Sequence, residues 1–107
     1  MRLAGRHGYT NLPSVGESKV TDAIIRNEGK EIVVDYEYDN RIGQLKLNSS
    51  DGIHFSGEYG DIRKIGDCEF ILYKNAEGYF LFGGYSSAED DTGLWWIELR
   101  HKGKEAV

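Results

Sequence analysis

Few side chains in this chain could carry chemistry. They are three histidines (His7, His54, His101), one cysteine (Cys68), an acidic run (Glu89-Asp90-Asp91) and a set of regularly spaced aromatics. A zinc site wants ligands at close intervals, as in Cys-x2-Cys or His-x3-His. No histidine stands that close to another or to Cys68, so neither a metal site nor a cofactor is expected. Cys68 opens an apolar run and reads as a small hydrophobe rather than a nucleophile. The run 89–91 lacks the alternating oxygen ligands and placed glycine of a calcium loop and reads as a solvated loop. No acid–base pair or activated nucleophile can be named, so no catalytic residue is assigned and enzymatic activity ranks below two binding classes. One of these rests on Tyr36, Tyr59, Tyr85 and Trp95. Aromatic faces beside carboxylates suit a small aromatic or cationic ligand, each cation–π contact contributing about 0.5–2 kcal/mol. The structural alternative is that tyrosines plug the end of a small barrel, with the ring buried and the hydroxyl reaching water.

These aromatics belong to a repeat. Glu28-Gly29, Asp51-Gly52 and Glu77-Gly78 are each followed, seven places after the glycine, by Tyr36, Tyr59 and Tyr85. Each pair sits between apolar runs, which is the mark of a β-hairpin. Glu31–Tyr38 alternates, with Ile32, Val34, Tyr36 and Tyr38 on one side. Gln44–Asn48 and Ile53–Tyr59 alternate too, and period-two patterning means a half-buried strand. A three-residue hairpin loop with glycine in the left-handed position predicts Leu47 opposite Phe55, Leu45 opposite Gly57 and Gly43 opposite Tyr59. Gly43, Gly57, Gly83 and Gly84 fall inside strands, where glycine marks a bend or a close backbone approach and lets a sheet coil. The expected fold is all-β: an up-and-down antiparallel meander of seven to eight strands forming a small barrel or half-barrel. A two-sheet sandwich is the alternative. Residues 1–18, rich in glycine and polar groups, read as a flexible arm, and 19–107 as the single domain.

The hairpin from Gly43 to Tyr59, with Asp51-Gly52, Gly57 and Tyr59, resembles an avidin-type hairpin of the lipocalin and avidin group. The likeness covers about one hairpin and implies a meandering barrel. It implies no ligand, because the biotin-contacting residues and the lipocalin Gly-x-Trp motif have no counterpart here.

Meander geometry places Tyr36, Tyr59, Tyr85 and Trp95 at the end opposite the three turns. The loops there carry Asp39, Asp61, Asp67 and Glu89–Asp91, with Arg41, Arg63 and Lys64 among them. The second binding class rests on the outer wall. A three-residue loop at Ala76-Glu77-Gly78 pairs Tyr73 with Leu81 and Ile71 with Gly83 inside. Phe70, Leu72, Phe80, Phe82 and Trp96 then share an apolar outer patch, with Leu94 on the same face. Soluble monomers rarely expose more than a few hundred Å² of contiguous apolar surface. The function expected is therefore a non-enzymatic interaction module that dimerises or docks a protein partner through its last three strands.

Bulk properties narrow the field further. The formal net charge is −5, and an acidic surface repels phosphate backbones, so no nucleic-acid partner is expected. One cysteine makes no internal disulfide. No apolar run suits a signal peptide or a membrane span, so a cytoplasmic location is expected and no membrane partner.

Overall fold

Eight strands run in chain order, each antiparallel to the next: β1 (Arg2–Tyr9), β2 (Glu17–Arg26), β3 (Glu31–Tyr38), β4 (Arg41–Asn48), β5 (His54–Gly60), β6 (Ile65–Lys74), β7 (Gly78–Ser87) and β8 (Thr92–His101). The computed structural model describes residues 2–9, 17–38, 41–60, 65–87 and 92–101. β1 pairs with both β2 and β8, which closes the meander into a barrel. No helix occurs among the described residues.

The expected arm is corrected by this closure. Residues 2–9 are a barrel strand, not a tail preceding a domain that starts at residue 19. The apolar alternation is muted in β1 because its inward positions are Leu3, Gly5 and His7, of which only one is a hydrophobe. Of the rest of that segment, residues 10–16 lie outside the described residues.

Closure needs tight coiling, and strand glycines permit it. A Cβ on Gly5, Gly57 or Gly83 would collide with the backbone carbonyl of Glu98, Lys46 or Glu69 on the neighbouring strand. The interior is filled by alternate side chains, among them Leu3, Ile32, Val34, Leu45, Leu47, Leu81, Ile97 and Leu99, all at most 1% exposed. Burying one such side chain stabilises the fold by about 1.5–3 kcal/mol. β2 departs from strict alternation: a bulge between Val20 and Asp22 lets Val20 and Ala23 both face inward.

The turns differ from three-residue loops, and register follows the turn. In the first hairpin, Glu28 and Gly29 take positive φ (58° and 84°), and the Lys30 N–H donates to the Asn27 carbonyl at 3.1 Å. That is the φ pattern of a type I′ turn, whose twist matches paired strands. In the second, Ser49 Oγ accepts from the N–H groups of Asp51 and Gly52, and Asp51 Oδ1 from those of Ile53 and His54. This wider loop pairs Leu47 with Gly57 and Leu45 with Tyr59, a shift of two residues from the expected register. A shift of two leaves the faces unchanged, and Leu45, Leu47 and Phe55 are buried as expected.

The third hairpin differs by one residue. Asn75 N–H donates to the Gly78 carbonyl at 3.0 Å, and Asn75 Oδ1 accepts from the N–H groups of Glu77 and Gly78. The loop is thus two residues, Ala76 and Glu77, and Leu72 pairs with Leu81, Ile71 with Phe82 and Tyr73 with Phe80. A slip of one turns a whole strand over. Phe70 (2% exposed) and Leu72 (7%) are core residues, while Ile71 and Tyr73 face outward.

Candidate functional site

Tyr36, Tyr59, Tyr85 and Trp95 converge at one end of the barrel. Trp95 is the hub, with ring centroids at 5.1 Å from Tyr36, 5.2 Å from Tyr59 and 5.8 Å from Tyr85, all edge-to-face. Phe70 adds a further edge contact at 5.7 Å. Tyr36 and Trp95 are buried; Tyr59 and Tyr85 are half-buried. Each tyrosine stands opposite a glycine on the next strand: Tyr36 with Gly43, Tyr59 with Gly66, Tyr85 with Gly93. A Cβ on Gly43 or Gly66 would lie 2.5 Å from the Tyr36 or Tyr59 ring, so those two rings lie against bare backbone. An aromatic covering a cross-strand glycine restores packing that the glycine lacks. The repeated tyrosine therefore has a structural reason independent of any ligand.

His7 is the member of this cluster that the sequence did not reveal. It is 1% exposed, reached by Tyr36 at 5.1 Å and Trp95 at 5.8 Å between ring centroids. Trp95 Nε1–H donates to His7 Nδ1 at 3.0 Å. An indole N–H can only donate, so Nδ1 is the acceptor and the imidazole proton sits on Nε2. Nε2–H then donates to the Glu37 carbonyl at 2.8 Å. Burial holds the His7 pKa below its ordinary value, opposed by the bond to Glu37. This neutral tautomer ties β1, β3 and β8 together. Of the charged residues expected around this mouth, Arg41 pairs with Tyr38 where β3 meets β4 and Asp67 follows Gly66, the partner of Tyr59, both exposed; Asp39, Asp61, Arg63, Lys64 and Glu89–Asp91 lie outside the described residues.

Cys68 is buried in the wall, its thiol donating to the Gly57 carbonyl at 3.6 Å. Burial, reinforced by the charges of Asp67, Glu58 and Glu69, pushes its pKa up to about 12. A thiol held protonated is a poor nucleophile. At the opposite end, the exposed Asp51 carboxylate meets His54 Nδ1 at 2.7 Å. That bond and the N–H groups of His54 and Ile53 hold its pKa well below the carboxylate range. It is a turn-forming group. Among the described residues no cluster of three metal-ligating side chains occurs.

The outer wall of β6–β8 is the second candidate. Phe80, Phe82 and Trp96 point outward as expected, with Leu94 beside them; Ile71 and Tyr73 replace Phe70 and Leu72 in the patch. Cross-strand pairing lines up Ile71, Phe82 and Trp96 in one row, and Tyr73 with Phe80 in the next. Tyr73 (56%), Leu94 (52%) and Phe82 (45%) are strongly exposed. Phe80 and Phe82 stack at 6.4 Å with planes 17° apart. Trp96 covers Gly8 of β1, and the Arg6 guanidinium lies 5.9 Å from its ring centroid. The wall of β4 and β5 is different in kind, presenting Gln44, Lys46, Asn48, His54, Ser56 and Glu58 outward.

Comparison of the chain with protein families, curated proteins and solved structures finds no match.

Proposed function

We propose that this barrel is a non-enzymatic interaction module that docks protein through the outer face of β6–β8. The observation that carries this reading is the contrast between two walls of one barrel. The β4–β5 wall is polar, whereas the β6–β8 wall carries Ile71, Tyr73, Phe80, Phe82, Leu94 and Trp96. The core is supplied by the inward set, and of the outward side chains Trp96 also packs over Gly8 of β1. Leaving roughly 400 Å² of apolar surface in water forfeits on the order of 10 kcal/mol at about 25 cal/mol per Å². Covering such a patch on two partners yields a gross gain of about 20 kcal/mol, above the association cost of about 4–15 kcal/mol. The aromatic mouth gives less support to a small-ligand reading. Its rings are engaged with one another, with His7 and with the glycines beneath them.

A photo-crosslinking amino acid at position 82 of the full chain, expressed in its native cells, tests the reading. A discrete protein adduct is expected at position 82, and none from the same probe at Lys46 on the polar wall. No adduct at position 82, or equal adducts at both positions, refutes a docking surface there.

A further inference from the structure

β2 and β3 part at the aromatic end of the barrel. The cause is the bulge between Val20 and Asp22, which puts β2 out of step with both β1 and β3 and bends the strand. The β2–β3 ladder stops at Val20 with Tyr36. Beyond that rung, Glu17, Ser18 and Lys19 pair with Gly8, His7 and Arg6 of β1, whereas Glu37 and Tyr38 pair with Ile42 and Arg41 of β4. His7 spans the parting. Its Nε2–H reaches past β2 to the Glu37 carbonyl at 2.8 Å, while its Nδ1 accepts from Trp95 of β8 at 3.0 Å.

Both bonds hold only for the neutral ring. A proton on Nδ1 sets an N–H against the indole N–H of Trp95, which can only donate. Two donors then face each other, and one ring has to withdraw. The surrounding groups do not compensate the charge. From β3 come the Tyr36 ring and the exposed, outward Glu37 carboxylate, and β2 carries Lys19, exposed and itself cationic. β8 offers Trp95 and Ile97, neither titratable, and Glu98, which is paired with Arg6 and Arg100. Among the described residues no carboxylate bonds the imidazole. A buried charge left without a partner is costly.

We infer that His7 is an acid-operated latch: when Nδ1 takes a proton, the mouth ends of β1 and β2 swing away from β3 and bare the Tyr36 and Trp95 rings, while the far half of the barrel stays folded. The bulge in β2 is the hinge between the two halves. Past it, Ala23 and Ile25 pair with Val34 and Ile32, which pair in turn with Leu45 and Leu47, all of them buried. That apolar half contains no part of the latch. Local opening of a weakly laddered end ahead of the core is a general property of folded chains.

NMR of the full chain through an acid titration tests the latch. The imidazole signals of His7 give its midpoint, the Trp95 indole N–H reports the mouth, and the amides of Ile32 and Val34 report the far half. Below the His7 midpoint the Trp95 N–H is expected to lose at least about tenfold in protection from solvent exchange, while Ile32 and Val34 keep theirs. His7→Gln offers an oxygen to Trp95 and an N–H to Glu37 without titrating, so its Trp95 N–H is expected to stay protected over the same range. Trp95→Phe keeps a ring at the hub and removes the opposing donor, and is expected to raise the His7 midpoint by about half a unit or more. A Trp95 N–H that loosens equally in His7→Gln overturns the latch. So does a His7 that stays neutral until Ile32 and Val34 lose protection too. If His7→Gln does not fold, an unmoved His7 midpoint in Trp95→Phe overturns it by itself.

Discussion

His7 shows what a single residue contributes that patterning could not announce. Nothing near it in sequence marks a core position, because its inward neighbours along β1 are Gly5 and Leu3. Its role comes from Trp95 and Glu37, 88 and 30 residues away. The bond from Trp95 requires a bare Nδ1, and protonation removes that acceptor. The consequence for stability has a definite sign. Burial lowers the folded-state pKa below 6.5, so between that lowered value and 6.5 the unfolded chain binds a proton that the folded chain does not. The contribution is therefore complete above about pH 6.5 and is lost as pH falls through the folded-state pKa. Urea unfolding at pH 7.5, 6.5 and 5.5, followed by Trp95 fluorescence, is expected to show declining stability. His7→Gln is expected to be less stable at pH 7.5 and flatter across that window. An equally steep decline in His7→Gln means that other groups carry the dependence. Cys68 shows the reverse case: it was legible from the sequence as a small hydrophobe rather than a nucleophile, and it lies buried on β6.

At the scale of strands and turns, faces were easier to read than registers. Ile32, Val34 and Tyr36 alternate so regularly that the inner face of β3 follows from period two alone. The β6–β7 pair resisted because its strands are apolar on both faces. Phe70, Ile71, Leu72 and Tyr73 are consecutive hydrophobes, so only the turn can choose between them. The choice is made by Asn75, whose side-chain oxygen satisfies the N–H groups of Glu77 and Gly78 and closes a two-residue loop. A neighbouring pair of substitutions checks this register. Phe70→Ala removes a buried ring in contact with Trp95 and is expected to cost about 3–5 kcal/mol in chemical denaturation. Ile71→Ala, on the outer wall, is expected to stay within about 1 kcal/mol of the wild type. The reversed order would place Ile71 inside and restore the three-residue loop. The tyrosine repeat has the same local origin: Tyr36 and Tyr59 each lie on the glycine that faces them across the strand pair.

For the whole molecule, the meander was legible because its three acidic-glycine turns punctuate the chain at the hairpins. Closure was not. It depends on β1 bridging β2 and β8, a long-range pairing whose strand carries glycine and histidine where an apolar residue would advertise burial. Closure also removes the free sheet edges through which β proteins otherwise associate. Association is thereby left to side chains on the outer wall. There the barrel is lopsided, polar over β4–β5 and aromatic over β6–β8. The apolar wall was anticipated from Phe80, Phe82, Leu94 and Trp96, and the register exchanged Phe70 and Leu72 for Ile71 and Tyr73. The measurement that tests this central claim most directly is the photo-crosslink from position 82 of the full chain in its native cells, read against the same probe at Lys46. Phe82 is exposed in the single chain, so replacing it leaves the core intact. The expected result is a discrete protein adduct from position 82 and none from Lys46. No adduct from position 82 contradicts docking, and equal adducts from both positions contradict the assignment of this face.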